Sequence, residues 1–247
     1  MKIELVSFPK YLRLTVNERI NRMDAISQIL SDTTADFVMF SAHILKCEDD
    51  LFDLLKLRKI KKDLTVLFEL KYGGNQLYLL ENGFVRRLSS QIFSRSEEAS
   101  VENLELLITE LKRFRQFEVK GKRFLIIQCG ENNFLKGSSG CAEFRLKEKE
   151  PELCRRYEKL LSDVDVVLNP VHDRWGRFGN FLTRMRKFSD GNRYSFSYTQ
   201  MENNQLENAR ISPKQNTTHI AMHNQQLIAP VYTNSEEPYL IQTYVIL

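Results

Sequence analysis

The chain is constrained first by what it lacks. Four cysteines occur in 247 residues, Cys47, Cys129, Cys141 and Cys154, and they form no CxxC pair or other zinc-binding spacing. Nor does any metal-ligand spacing join His172 to His43, His219 or His223, so neither a metal nor a cofactor is implied. The opening residues carry no signal-peptide pattern, and the thiols therefore read as reduced cysteines of a cytoplasmic protein. No apolar run approaches the roughly 20 residues that a membrane span requires. Charge of one sign is also missing: 36 basic residues face 32 acidic ones, a formal net charge of +4. That balance gives no compositional case for nucleic-acid binding. Basic residues crowd Lys112–Arg123 and Arg174–Arg193, but acidic and apolar residues interleave both stretches, which then read as solvated helix faces and loops. There is no internal repeat, low-complexity linker or composition break, so residues 1–247 read as one domain.

What is present is an alternation of short apolar runs with amphipathic segments, in a chain that is 42% apolar. This is the pattern of an α/β sandwich. Strands are expected at 3–8, 36–41, 64–70 and 165–170. Asn82-Gly83 between QLYLL and FVRRL marks a tight hairpin. Helices are expected over about 16–30, with a capping box from Thr15 and Glu18, and from Glu48 onward, with acids first and bases last. Further helices should follow Ser100 as a cap, start at Pro151 and run to Leu161, and cover about 180–188. RYSFSY, THIAMH, QLIAPVY and YLIQTYVIL alternate like sheet.

The most informative stretch is Phe124–Asn133, FLIIQCGENN. Its apolar run reads as a buried strand that carries Cys129 at its carboxyl end, with Gly130 marking a sharp turn. Ligands and chemistry in open α/β sheets gather at that end of a strand. Glu131, Asn132 and Asn133 place an acid–base group and two amides beside the sulfur, the polar company that a nucleophilic thiol needs. A purely structural reading also exists: strand cysteines are often small core residues, and Glu131 and Asn132 then cap a following helical turn.

The order of these segments resembles the nitrilase or carbon–nitrogen hydrolase superfamily. IELVSF and DFVMFS are similar to its first two strands, QLYLLENGFV to its hairpin, FLIIQCGE to its nucleophile strand and elbow, VDVVLNPVHD to the strand after it, and THIAMHNQQLIAPV to its last hairpin. The resemblance implies a four-layer αββα sandwich, a homodimer, and hydrolysis of a small amide-like substrate by a Glu base, a Lys and a Cys nucleophile. Only the Cys carries over, to Cys129. Ser41-Ala42 stands where the family has Glu, and Leu88-Ser89-Ser90-Gln91 where it has Lys.

Other residues offer the missing functions. Glu69 ends the third strand and is a candidate base; Lys71, two residues on, shares its face if the strand continues and offers a cation. Glu131 is a second candidate base, and His172 after the NP turn is a candidate partner of the thiol or wall of the pocket. Asn132 and Asn133 are candidate substrate contacts. Two functions stay open. One is a thiol hydrolase that forms an acyl-enzyme on Cys129; the other is a non-catalytic relative that binds a small ligand or a protein.

Overall fold

The computed structural model describes residues 1–8, 16–56, 60–71, 75–137, 141–172, 178–201, 218–235 and 239–247. The chain packs as two compact units. The first comprises residues 1–88, 200–216 and 230–247, the second residues 89–199 and 217–229.

The first unit is built on a seven-stranded sheet. Its strands are β1 (Lys2–Ser7), β2 (Phe37–Phe40), β3 (Thr65–Glu69), β4 (Leu77–Glu81), β5 (Phe84–Arg87) and, from the end of the chain, β14 (Tyr232–Asn234) and β15 (Leu240–Val245), in the spatial order β14-β15-β1-β2-β3-β4-β5. β1, β2 and β3 run parallel, and the flanking strands are antiparallel. Every residue of β2 and β3 is buried, which is why FVMF and the VLF at the centre of β3 read as apolar runs with no alternation. Helices α1 (Val16–Asp32) and α2 (Glu48–Lys56) connect the parallel strands. Leu51 and Leu54 of α2 pack with Ile26 and Leu30 of α1 on Val38, Phe40, Val66 and Phe68. The Asp50 carboxylate accepts the Lys46 N–H at 2.8 Å, adding a local cap to the acidic first turn. Asn82 and Gly83 both adopt positive φ, 52° and 79°, the twist that a two-residue hairpin requires. Thr15, and with it the expected capping box, lies outside the described residues.

The second unit holds a six-stranded sheet of β6 (Gln116–Val119), β7 (Lys122–Ile126), β10 (Val166–Pro170), β11 (Tyr194–Tyr198), β12 (His219–His223) and β13 (Gln226–Leu227), in the order β13-β12-β11-β10-β7-β6. β7, β10 and β11 are parallel. A short hairpin, β8 (Leu135–Gly137) with β9 (Ala142–Phe144), lies outside this sheet. Helices α3 (Val101–Phe114), α4 (Pro151–Ser162) and α5 (Phe178–Phe188) supply Leu104, Leu107, Leu111, Leu153, Tyr157, Leu161, Phe181, Met185 and Phe188 to one core. Leu125, Ile127, Val167 and Phe134 fill it from the sheet side and the turn after β7. Pro151 occupies the first turn of α4, where no N–H is needed.

Two features differ from the sequence reading. β7 ends at Ile126, and Cys129 opens a 3₁₀ turn over Cys129–Phe134 instead of closing the strand. The reason is local: the Ile127 N–H still reaches Leu168 O at 2.9 Å, but the Glu131 N–H then turns back to Gln128 O. β3 likewise stops at Glu69, so Lys71 does not continue the strand beside it.

Ser100 caps α3 as expected, its side chain accepting the Asn103 N–H at 3.2 Å. Ser100→Ala removes that acceptor. It should lower stability by about 1 kcal/mol, read as a fall in the midpoint of thermal unfolding.

Candidate functional site

The site is built where the parallel strands β7 and β10 end side by side. Their register pairs Ile126 with Leu168, and Cys129 follows three residues after the first, His172 four residues after the second. Cys129 is half-buried and packs against the core of its unit. The turn it opens is held from several directions at once.

Gly130 is wholly enclosed. A Cβ there would come within 2.3 Å of Ser94 Cα and 2.6 Å of Phe93 O. The glycine is required by this close approach of backbone to backbone and not by a left-handed conformation. Glu131 is also fully buried. Its Oε1 accepts the Ile92 N–H at 2.8 Å, and its Oε2 accepts the Gln128 N–H at 2.9 Å and Arg115 Nη1 at 2.5 Å. Arg115, the residue after α3, is 0% exposed and divides its other donors between Ser89 Oγ, at 2.7 Å, and Ser90 O. A closed circuit therefore ties segment 89–92, the end of α3 and the Cys129 turn together. Burial, and then the Glu131 charge, push the Tyr157 phenol up, so this ring stays neutral beside the pair.

These contacts revise several expectations. Glu131 is not placed to move protons: it is enclosed, and both oxygens hold structural donors. Asn133 is similarly engaged, its Nδ2 donating to Ser94 O at 2.9 Å and its Oδ1 accepting from Arg184 Nη1 at 3.0 Å. Burial, with Arg145 nearby, pulls the Arg184 guanidinium down from its ordinary value. The Lys112–Arg123 stretch is not solely a solvated face, because Arg115 within it is the most completely enclosed cation of the site. Sequence reasoning missed Arg115. Its one available signal was a basic residue at the end of an amphipathic helix, and such residues usually serve the helix dipole.

Asn132 remains free to act. Its side chain is 3% exposed, with Nδ2 bonded to Asn169 Oδ1 at 2.7 Å, while its own Oδ1 is buried with no partner. The remaining candidates lie in the first unit: Glu69 is 1% exposed at the end of β3, and Lys71 is exposed, its N–H bonded to Leu45 O. The two places where the resemblance lacks its residues are filled structurally. Ser41 Oγ accepts the Phe8 N–H at 3.3 Å, and Ser89 is the residue that Arg115 holds. Trp175 and Asp173 lie outside the described residues.

No protein-family model and no curated protein matches the sequence. Solved structures do match. A carbon–nitrogen hydrolase superfamily protein of Xanthomonas campestris, with an arsenic adduct in its active site, is 14% identical; the match covers 99% of this chain and 90% of that one, with a TM-score of 0.52. An amidase of the nitrilase superfamily from Nesterenkonia is 11% identical over 99% of this chain and 90% of its own, with a TM-score of 0.56. The glutamine-dependent NAD+ synthetase of Acinetobacter baumannii is 12% identical over 99% of this chain but only 45% of its own, with a TM-score of 0.55. The fold is thus that of the nitrilase, or carbon–nitrogen hydrolase, superfamily: the four-layer αββα sandwich expected from the segment order, in a divergent sequence.

Breaking the circuit at one partner should be costly. Arg115→Met leaves the Glu131 charge enclosed without its cation and should destabilise by about 3–5 kcal/mol in denaturant unfolding. Replacing Arg115 and Glu131 together by Met and Leu should cost less than Arg115→Met alone, because no charge is then left uncompensated.

Proposed function

We propose that the protein is a thiol-dependent hydrolase of an amide or related non-peptide C–N bond in a small molecule. The observation that carries this reading is Cys129 itself, half-buried at the head of a tightly braced turn beyond the carboxyl end of a parallel strand. The likeness to amidase structures supports it. A mutant of the Nesterenkonia amidase shows covalent addition of the acetamide moiety of fluoroacetamide at the active-site cysteine.

In this reading the Cys129 thiolate attacks the carbonyl carbon, peptide N–H groups at the turn hold the oxyanion, and the amine leaves. Water then releases the acid from the acyl-enzyme. We keep the assignment of the proton to Glu69, a carboxylate of suitable type, with His172 as the competing acceptor. Bracing suits this task, since a nucleophile held in one geometry loses less entropy on reaching the transition state.

A second reading, a non-catalytic binding protein of the same fold, is favoured by Ser41 and Ser89, which stand in structural hydrogen bonds at the two places where the resemblance calls for Glu and Lys. Thiol labelling separates the two. Iodoacetamide should modify Cys129 faster than Cys47, Cys141 or Cys154 in the folded protein; uniformly slow labelling supports the binding reading.

On a panel of small amides, Cys129→Ala should abolish turnover. Glu69→Gln should lower it by about 10²–10⁴-fold, and His172→Gln by much less. The reverse order would assign the proton to a Cys–His pair.

A further inference from the structure

The amide of Asn132 is oriented by a chain of hydrogen bonds that begins at the backbone. Asn169 is 0% exposed on β10, and its Nδ2 donates to Ile127 O at 2.6 Å. A carbonyl only accepts, so the nitrogen end of Asn169 must face it and the oxygen end must face away. That oxygen accepts Asn132 Nδ2 at 2.7 Å, and Ser197 Oγ, itself 0% exposed, lies 3.3 Å from it and 3.0 Å from Asn169 O. Asn132 is thereby denied the alternative flip, because its own oxygen would then meet the oxygen of Asn169. Its Oδ1 is left as a fixed acceptor, buried and without a donor.

An enclosed amide oxygen with no donor is costly, and a structure that goes to this length to fix its direction presents it to something. In a 3₁₀ turn, side chains three residues apart lie above one another. Asn132 is three residues after Cys129 in the same turn. Asn132 and the candidate nucleophile thus project from the same face of the turn.

We propose that Asn132 Oδ1 accepts an N–H of the molecule bound at Cys129 and makes the site selective for carboxamides that carry an N–H over esters and fully substituted amides. This rests on the reading of Cys129 as the nucleophile. Asn169 and Ser197 are positioning residues: they set which end of Asn132 is presented and touch no substrate. The selectivity follows from asymmetry. An ester offers no donor, so its binding leaves the buried oxygen unpaired.

Alkylation of Cys129 tests this without a known substrate. The thiolate displaces iodide from an iodoacetyl probe, forming the S–C bond as the C–I bond breaks. Rates at Cys129, read by peptide mass spectrometry, are compared for iodoacetamide, 2-iodo-N,N-dimethylacetamide and methyl iodoacetate, with glutathione as the free-thiol reference. The ratio of iodoacetamide to either N–H-free probe should be about tenfold higher at Cys129 than for glutathione, the size of one unpaired buried group. In Asn132→Leu, with a cooperative thermal transition as the check on folding, that ratio should fall to the glutathione value.

A wild-type ratio equal to that of glutathione overturns the proposal, as does a folded Asn132→Leu protein that keeps the wild-type ratio. If the variant does not fold, the two N–H-free probes on the wild-type protein decide. A Cys129 that reacts no faster than Cys47 or Cys141 overturns the nucleophile reading and this inference together. Rapid reaction without amide preference overturns this inference alone.

Discussion

One enclosed ion pair organises the second unit. The Arg115 guanidinium and the Glu131 carboxylate, both 0% exposed in their side chains, meet at 2.5 Å. Taking two charges out of water costs several kcal/mol each, and their attraction offsets this only when the remaining donors and acceptors are also satisfied. Here they are. The guanidinium serves Ser89 and Ser90 as well as Glu131, and the carboxylate serves Ile92 and Gln128 as well as Arg115. A planar fork with fixed donor directions fits one mutual placement of these segments and no other. The pair therefore ties segment 89–92, the end of α3 and the turn into one register.

The other contacts of the turn depend on that register. Gly130 can lie against Ser94 only while segment 89–94 is held in place, and a side chain at 130 would push the two backbones apart. Asn133 reaches Ser94 O and Arg184 from the same turn. Phe134 closes it by entering the core between Phe144 and Tyr157. Cys129 is at the head of a segment in which nearly every following side chain is engaged. Its sulfur is thus positioned by its neighbours and by the core against which Cys129 packs.

The fold was largely readable from the sequence because its signals are local. Asn82-Gly83 states a turn, Ser100 and Pro151 state helix starts, and the apolar runs FVMF and VVL state strands buried on both faces. The site was less readable because its contacts are long-range. Arg115 and Glu131 lie 16 residues apart, Ile92 and Glu131 lie 39 apart, and nothing in the local pattern joins them. Charge counting placed Arg115 in a solvated stretch, and residue type suggested Glu131 as a base. Both inferences fail for the same reason: a charged residue usually faces water, and only a specific partner reverses that rule.

Asn132 shows what such engagement leaves behind. Of the three polar residues after Gly130, Glu131 and Asn133 have both ends of their polar groups taken by the protein, and Asn132 has one. Its donor end is used to read Asn169, whose own orientation is dictated by the carbonyl of Ile127, the residue that follows β7. A backbone carbonyl cannot change its polarity, so the direction of the Asn132 oxygen is determined by that carbonyl and passed outward through two amides. The buried Asn132 acceptor that lacks a partner is therefore also one whose direction is firmly set. An acceptor fixed in this way, on the turn that begins with Cys129, is organised before any ligand arrives, and it favours ligands that bring a hydrogen-bond donor with them.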